Sequence, residues 1–135
     1  CCSSPKVARA VTLDLFRFAG VQMEDLRPDL RPQLVEVNWS GSVVDMATSK
    51  GIRTAGFPSN YPEGTSLTET QRAAAKWHKD GQEGVICRSA SLHRLRFSDW
   101  TGRPERWSEI AIFPQRAKRA PRLVRRIFGL GWMNV

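Results

Sequence analysis

The stretch Gly84-Val85-Ile86-Cys87-Arg88-Ser89-Ala90-Ser91 decides how the rest of this chain is interpreted. Its apolar residues follow a glycine-containing turn and run directly into Arg88 and Ser89, which predicts a buried strand over 84–89. In α/β proteins ligand groups gather where such strands end, so the cation and the hydroxyl are candidates for a cleft. The alternative is an ordinary core strand whose last residues are polar.

The length and composition of the chain fit one globular domain. A chain of 135 residues is long enough for a core of its own, and 41% hydrophobic and 25% charged residues are ordinary values. No apolar run approaches the roughly 20 residues that span a bilayer, and no secretory signal is visible. We therefore expect a cytoplasmic protein without a membrane partner.

Cysteine and histidine residues are too few and too scattered for a fold held by disulfides or by a metal ion. Three cysteines, two of them adjacent at Cys1 and Cys2, do not make a disulfide framework. With only His78 and His93 beside them, the paired ligand spacing of a zinc site is missing. This pattern indicates a reducing compartment and no metal.

The first helix is predicted from its ends. Ser4 is a good N-cap, Pro5 suits the first helical position, and Gly20 is a natural stop. Apolar residues then recur at helical spacing and predict a core-facing side made of Val7, Val11, Leu15 and Phe18.

The remaining segments predict an α/β (α+β) fold. Alternation and turn residues predict strands over 33–39, 43–46 and 109–113, a helix over 68–79, and a long loop over 47–66 with at most a short helix. Because a helix lies between strands, we expect a single compact domain with a mixed sheet flanked by helices, over residues 1–115. Residues 116–135 are then a basic C-terminal tail, or a helix packed on the domain.

The net charge of +8 is concentrated near the C-terminus. Such a run could contact nucleic acid, an anionic cofactor or an acidic partner, and it could equally be a solvated helix face or a flexible tail. No helix-turn-helix, zinc-finger or aromatic RNA-binding signature accompanies it. The basic residues are Arg116, Lys118, Arg119, Arg122, Arg125 and Arg126.

In their order, these segments resemble the RES domain, a family named for its Arg, Glu and Ser residues. The resemblance covers about residues 3 to 113, and the ordered set is more specific than any one motif. The matching pieces are Ser4-Pro5-Lys6-Val7-Ala8, Val43-Val44-Asp45-Met46, Thr70-Gln71-Arg72-Ala73-Ala74, Glu83-Gly84-Val85-Ile86-Cys87-Arg88-Ser89 and Glu109-Ile110-Ala111-Ile112-Phe113.

The resemblance implies a bacterial toxin of a RES–Xre toxin–antitoxin system, with a fold similar to ADP-ribosyltransferases. Such toxins consume NAD+ by cleavage or phosphorolysis at the nicotinamide–ribose bond, or by ADP-ribosyl transfer. A cognate Xre-type antitoxin covers the cleft and holds them silent. NAD+ is then a substrate, no metal is needed, and a homodimer is left open.

The resemblance also suggests site residues. Ser89 corresponds to the family's serine, and its neighbour Arg88 could contact the pyrophosphate. Tyr61 could close over a ligand from its long loop, although a packing role fits it as well. Ser91 and His93 follow the key strand and are further candidates for contacts with NAD+.

The acid is the weakest part of the match. The family's glutamate corresponds to Val11, and its arginine and tyrosine would precede Cys1, as in a shortened chain. Asp14 is the nearest acid, but three positions rotate it about 300° around a helix, so we expect it to face solvent.

Three functions follow from these residues. The first is a RES-type enzyme that consumes NAD+. The second is a catalytically degenerate RES-like domain that only binds a nucleotide or a protein. The third is a basic nucleic-acid-binding module, which ranks last because the same charge suits a pyrophosphate or an acidic antitoxin.

Overall fold

The computed structural model describes residues 1–94 and 107–127, apart from the side chains of His93 and Arg94. This part of the chain has the predicted α+β class. Its helices are α1 (Pro5–Ala19), α2 (Ser49–Thr54), α3 (Leu67–Lys79) and α4 (Ala90–Arg94), and its strands are β1 (Leu34–Asn38), β2 (Val43–Met46), β3 (Gly84–Arg88), β4 (Ser108–Ile112) and β5 (Arg122–Ile127).

The predicted strand before Ser89 is the centre of a mixed sheet with the order β2-β3-β4. β2 runs parallel to β3, whereas β4 runs antiparallel to it. The first residues of the chain lie along the other edge of β4, because Cys2 pairs with Glu109 and the Ser3 N–H donates to the Ser108 carbonyl at 2.9 Å. β3 is therefore paired on both sides.

The crossover from β2 to β3 contains the long loop and the second predicted helix. Both helices of the crossover have side-chain caps, since Thr48 accepts the Gly51 N–H and Ser66 accepts the Glu69 N–H. The loop has the single short helix that the sequence allows, α2, and it contains a cis peptide bond between Tyr61 and Pro62. The start of α3 is Leu67 rather than Thr68, because Ser66 is the capping hydroxyl.

The ends of α1 are those the sequence predicts, but only half of its apolar face is buried. Ser4 accepts the Val7 N–H, and Gly20 closes the helix in the left-handed conformation. Val7 and Ala10 pack against Leu92 of α4. Leu15 and Phe18 are 62% and 93% exposed, so the expectation that they belong to the core is wrong. Among the described residues, α4 is too short to cover both ends of α1.

A second core cluster lies between the sheet and its crossover. Met46, Ile52, Tyr61 and Val85 are buried there. Phe57, Trp77 and Phe113 pack against them from the loop, α3 and the segment after β4. This second cluster therefore sits where α2 and α3 cross the sheet.

Part of the basic C-terminal segment is neither a helix nor a tail. Residues 122–127 form β5, which pairs antiparallel with β1 in a separate two-stranded ribbon. The two connectors that lead from the ribbon to the main sheet are joined by Trp39, whose indole N–H donates to the Arg119 carbonyl at 2.9 Å. A β-carbon at Gly41 would lie 2.5 Å from the Trp39 ring, so the ring packs tightly against the backbone of Gly41.

The loop predicted after Leu92 begins as a helix, because α4 extends to Arg94. The rest of that loop, with Phe97 and Trp100, and residues 128–135 lie outside the described residues. Within the described ranges, no helix is long and apolar enough to cross a membrane.

Candidate functional site

Ser89, the serine singled out by the sequence, is a structural cap. It follows the last residue of β3, and its Oγ accepts the Leu92 N–H at 3.3 Å, which caps the first turn of α4. Its own N–H donates to the Trp107 carbonyl at 3.0 Å. Because the side chain is 0% exposed, its hydroxyl does not reach a ligand in this conformation.

Two other predicted site residues, Ser91 and Asp14, contact each other near Ser89. The Ser91 hydroxyl donates to Asp14 Oδ2 at 3.0 Å, which joins α4 to α1. Asp14 is half-buried at this contact, so the expectation that it faces solvent is wrong. A step of three positions leaves two side chains only about 60° apart on a helix, so Asp14 lies on the same side of α1 as Val11 and faces Ser91.

The Asp14–Ser91 pair lies in the wall of a groove along α1. The groove is open to solvent on one side and has a volume of about 930 Å³, within the range of small-molecule sites. Arg17 contributes a cation to it. The other lining residues are Val11, Leu15 and Phe18. We call this the α1 groove.

Arg88 is a buried anchor and not a surface cation. Its Nε donates to the Ala47 carbonyl at 2.8 Å, its Nη1 to the Tyr61 carbonyl at 3.3 Å, and its Nη2 to the Ser49 hydroxyl at 3.2 Å. The residue is 7% exposed. The guanidinium already donates hydrogen bonds to three residues of the crossover. The predicted contact with a pyrophosphate would therefore require these bonds to break.

Asp45, which the sequence analysis did not suggest as a site residue, shapes the start of the same crossover. Its Oδ1 accepts the N–H groups of Ala47 and Thr48 at 2.9 and 3.0 Å, and its Oδ2 accepts the Thr48 hydroxyl. Burial raises the pKa of Asp45, but these hydrogen bonds and the nearby Arg88 charge outweigh it and leave the pKa below its ordinary value. The carboxylate therefore stays ionised and holds the turn.

Tyr61 lines a different cavity, between α3 and β3. Its side chain packs edge-on against Phe57, with 5.6 Å between ring centroids, and burial raises the pKa of its hydroxyl. The cavity encloses about 440 Å³, and Trp77 and Cys87 are also in its wall. The sequence pattern did not reveal this cavity, because the alanines and threonines of α3 indicate only that the helix packs against the sheet.

The predicted residues thus divide between two places. Asp14 and Ser91 meet in the α1 groove, while Arg88 and Tyr61 hold the crossover on β3. His93 belongs to α4, but its side chain lies outside the described part of the chain. In that described part, no cluster of three or more His, Cys, Asp or Glu side chains could hold a metal ion.

Comparison with known proteins gave no match: no family model, curated protein or solved structure is significantly similar to this chain. The resemblance to the RES domain therefore stays an interpretation of the sequence. What the geometry adds is the α1 groove and the pair of polar side chains in its wall.

Proposed function

We propose that this chain is a RES-type domain that consumes NAD+ at the α1 groove. The hydrogen bond between Ser91 and Asp14 carries the proposal. It joins the helix in which the resemblance expects the acid to the segment that follows β3 and Ser89. A carboxylate held in this way, beside a cavity of about 930 Å³, is suited to a charged small molecule.

The proposed reaction breaks the bond between nicotinamide and ribose. As neutral nicotinamide leaves with the bonding electrons, positive charge develops on the ribose, and a nearby carboxylate stabilises it. Asp14 supplies that carboxylate, and Ser91 fixes its orientation by donating to Oδ2. Arg17, in the same groove, is suited to the pyrophosphate. Water, phosphate or a protein nucleophile then takes the ribosyl group.

Release of nicotinamide from NAD+ tests this proposal. We expect the purified chain to release it, and Asp14→Asn to lower the rate by about 10²-fold, the range for loss of one electrostatic group that acts on the transition state. Asp25→Asn is the matched control, because Asp25 is an exposed acid of the connector after α1. Equal rates for Asp14→Asn and the wild type would contradict the role of Asp14.

The apolar side chains beside the groove suggest how the activity is silenced. Leu15 and Phe18, which line the groove, are largely exposed in the described structure. We propose that an apolar helix of an Xre-type antitoxin covers them and closes the groove. Exposed apolar patches of this kind are typical of protein interaction sites.

The burial of Ser89 favours a second candidate, a RES-like domain that binds a nucleotide without cleaving it. A serine that is 0% exposed cannot orient a substrate. Calorimetric titration with ADP-ribose separates the two functions. Binding that Asp14→Asn weakens, without nicotinamide release by the wild type, would establish the binding-only domain.

A further inference from the structure

The β1–β5 ribbon presents the basic segment in a fixed geometry. In a flexible tail the arginines of this segment would be spread over many conformations. Pairing with β1 places Arg122 opposite Asn38 and Arg126 opposite Val35. The charge that composition alone leaves unexplained therefore belongs to a defined surface.

This surface has a large excess of positive charge. From Pro114 to Ile127 the chain contains no acid. Two of its cations have acidic neighbours, since Lys118 Nζ lies 4.0 Å from Glu83 and Arg125 pairs with Glu36. For the other four, no carboxylate of the described residues lies within 4.0 Å, and all four are exposed: Arg116, Arg119, Arg122 and Arg126.

The ribbon presents guanidinium groups on both of its faces. Residues directly opposite each other in an antiparallel pair share a face, and neighbours along a strand alternate. Alternation alone would put residues four positions apart on one face, but a β-bulge shifts the register between Glu36 and Val37. Arg126 therefore shares a face with Val35, whereas Arg122 shares the opposite face with Asn38. The two arginines are four residues apart along β5, a rise of roughly 13 Å at ~3.3 Å per residue.

We propose that this ribbon binds double-stranded DNA by entering the major groove, with Arg122 and Arg126 on phosphates. The major groove of B-DNA is about 12 Å wide and admits a two-stranded β-ribbon. Cations on both faces match a groove with phosphates along both walls. The corresponding groove of A-form RNA is too narrow and deep for this.

An acidic protein fits this surface less well. Protein interfaces have a core depleted of charge, whereas β5 places arginines at both ends of its short apolar pair, Leu123 and Val124. The basic segment also uses guanidinium groups, which form paired hydrogen bonds with phosphate, in preference to ammonium groups. Lys118 is the one lysine between Pro114 and Ile127.

The test is the salt dependence of binding to a labelled mixed-sequence duplex of about 16 base pairs, followed by fluorescence anisotropy. Each phosphate contact contributes about 0.9 to the slope of log K against log salt. We expect Arg122→Gln with Arg126→Gln to reduce this slope by about 1.8. The matched control, Lys50→Gln with Arg53→Gln, removes the same charge from exposed positions on α2 and should leave the slope within a few tenths.

A gain of affinity provides a second test that misfolding cannot imitate. Glu36 pairs with Arg125, so Glu36→Gln should free that guanidinium and tighten DNA binding two- to fivefold at 100 mM salt. Arg122→Lys with Arg126→Lys should keep the wild-type slope, since the charge remains.

Three results would overturn the proposal. The first is an equal loss of slope in the ribbon and α2 double variants. The second is tighter binding to single-stranded DNA or double-stranded RNA than to the duplex. The third is polyglutamate binding with the same dependence on Arg122 and Arg126. Nicotinamide release is measured separately, so failure of this proposal leaves the one for the α1 groove unaffected.

Discussion

Cys87 occupies the middle of the main sheet beside a second weakly acidic group. Its thiol donates to the Glu109 carbonyl at 3.7 Å, and the Tyr61 side chain lies nearby. Burial, with the nearby Glu109 charge, raises the pKa of Cys87 from 9.0 to about 11. The folded chain therefore keeps this proton at a pH at which the unfolded chain releases it.

This difference predicts a loss of stability in alkaline solution. Because the unfolded state binds fewer protons above pH 9, stability is complete below that pH and falls as pH rises toward about 11. Two pKa units correspond to about 2–3 kcal/mol. Urea unfolding at pH 8 and 10.5 should show a fall that is about 2 kcal/mol smaller in Cys87→Ala than in the wild type.

Cys1→Ala is the control for this prediction, because Cys1 is exposed. It should retain the full alkaline loss. If Cys87→Ala and the wild type lose the same stability between the two pH values, the buried thiol is not the cause.

Among the elements, α2 lies in close contact with the end of β2. A β-carbon at Gly51 would overlap the Asp45 carbonyl oxygen and lie 2.5 Å from Asp45 Cγ. The helix can approach the end of β2 only because residue 51 has no side chain. The carboxylate of Asp45, fixed by the N–H groups of Ala47 and Thr48, cannot move aside without losing those bonds.

Gly51→Ala should therefore destabilise the fold, although alanine favours a helix by about 1 kcal/mol over glycine. We expect the free energy of unfolding in urea to fall by about 1–3 kcal/mol, the usual cost of overpacking. Lys50→Ala, at an exposed position of the same helix, should change it by less than about 0.5 kcal/mol. An unchanged or increased stability of Gly51→Ala would mean that α2 can shift freely.

Elements with local signals could be predicted from the sequence, and the others could not. Ser4, Pro5 and Gly20 mark both ends of α1, as observed. α4 has only five residues, too few for a helical period, and its one available signal was the capping side chain of Ser89. β5 lacks regular alternation, and the partner of its Arg125, Glu36, lies 89 positions away.

The candidate site was missed in part for the same reason. Sequence reasoning placed Asp14 relative to Val11 on one helix, but the partner that turns it inward, Ser91, comes from a segment 77 positions away. Arg88 ends a strand, where ligand-binding residues often lie, yet its guanidinium donates its hydrogen bonds to carbonyl groups of the crossover. Such contacts depend on tertiary packing, which the local pattern does not encode.

At the scale of the whole molecule, Trp39 fixes the end of the ribbon from which both connectors lead to the main sheet. A two-stranded ribbon is marginal in water on its own, so the ribbon depends on its attachments. Among the described residues these include the Trp39 hydrogen bond to Arg119 and the Lys118–Glu83 ion pair. The ion pair is exposed at the lysine end, so we expect Trp39 to contribute more.

Trp39→Phe should loosen the ribbon without unfolding the core, because it removes the indole N–H and keeps an aromatic ring. Native-state hydrogen exchange should show amides of β1 and β5 exchanging about tenfold faster, as expected for loss of one hydrogen bond of about 1.4 kcal/mol, with β3 unchanged. Trp77→Phe is the control, since Trp77 packs on the core away from the ribbon. Uniform acceleration throughout the chain would show that the ribbon is not a separate unit.

The pairing of β1 with β5 also has a consequence during synthesis. β1 (Leu34–Asn38) leaves the ribosome long before its partner strand β5 (Arg122–Ile127), because most of the chain lies between them. Until then β1 has no partner strand within the ribbon, and its backbone N–H and C=O groups remain available to other nascent chains. Contacts between residues so far apart also slow folding. Of the strands in the described residues, the last to be made therefore protects the first from aggregation.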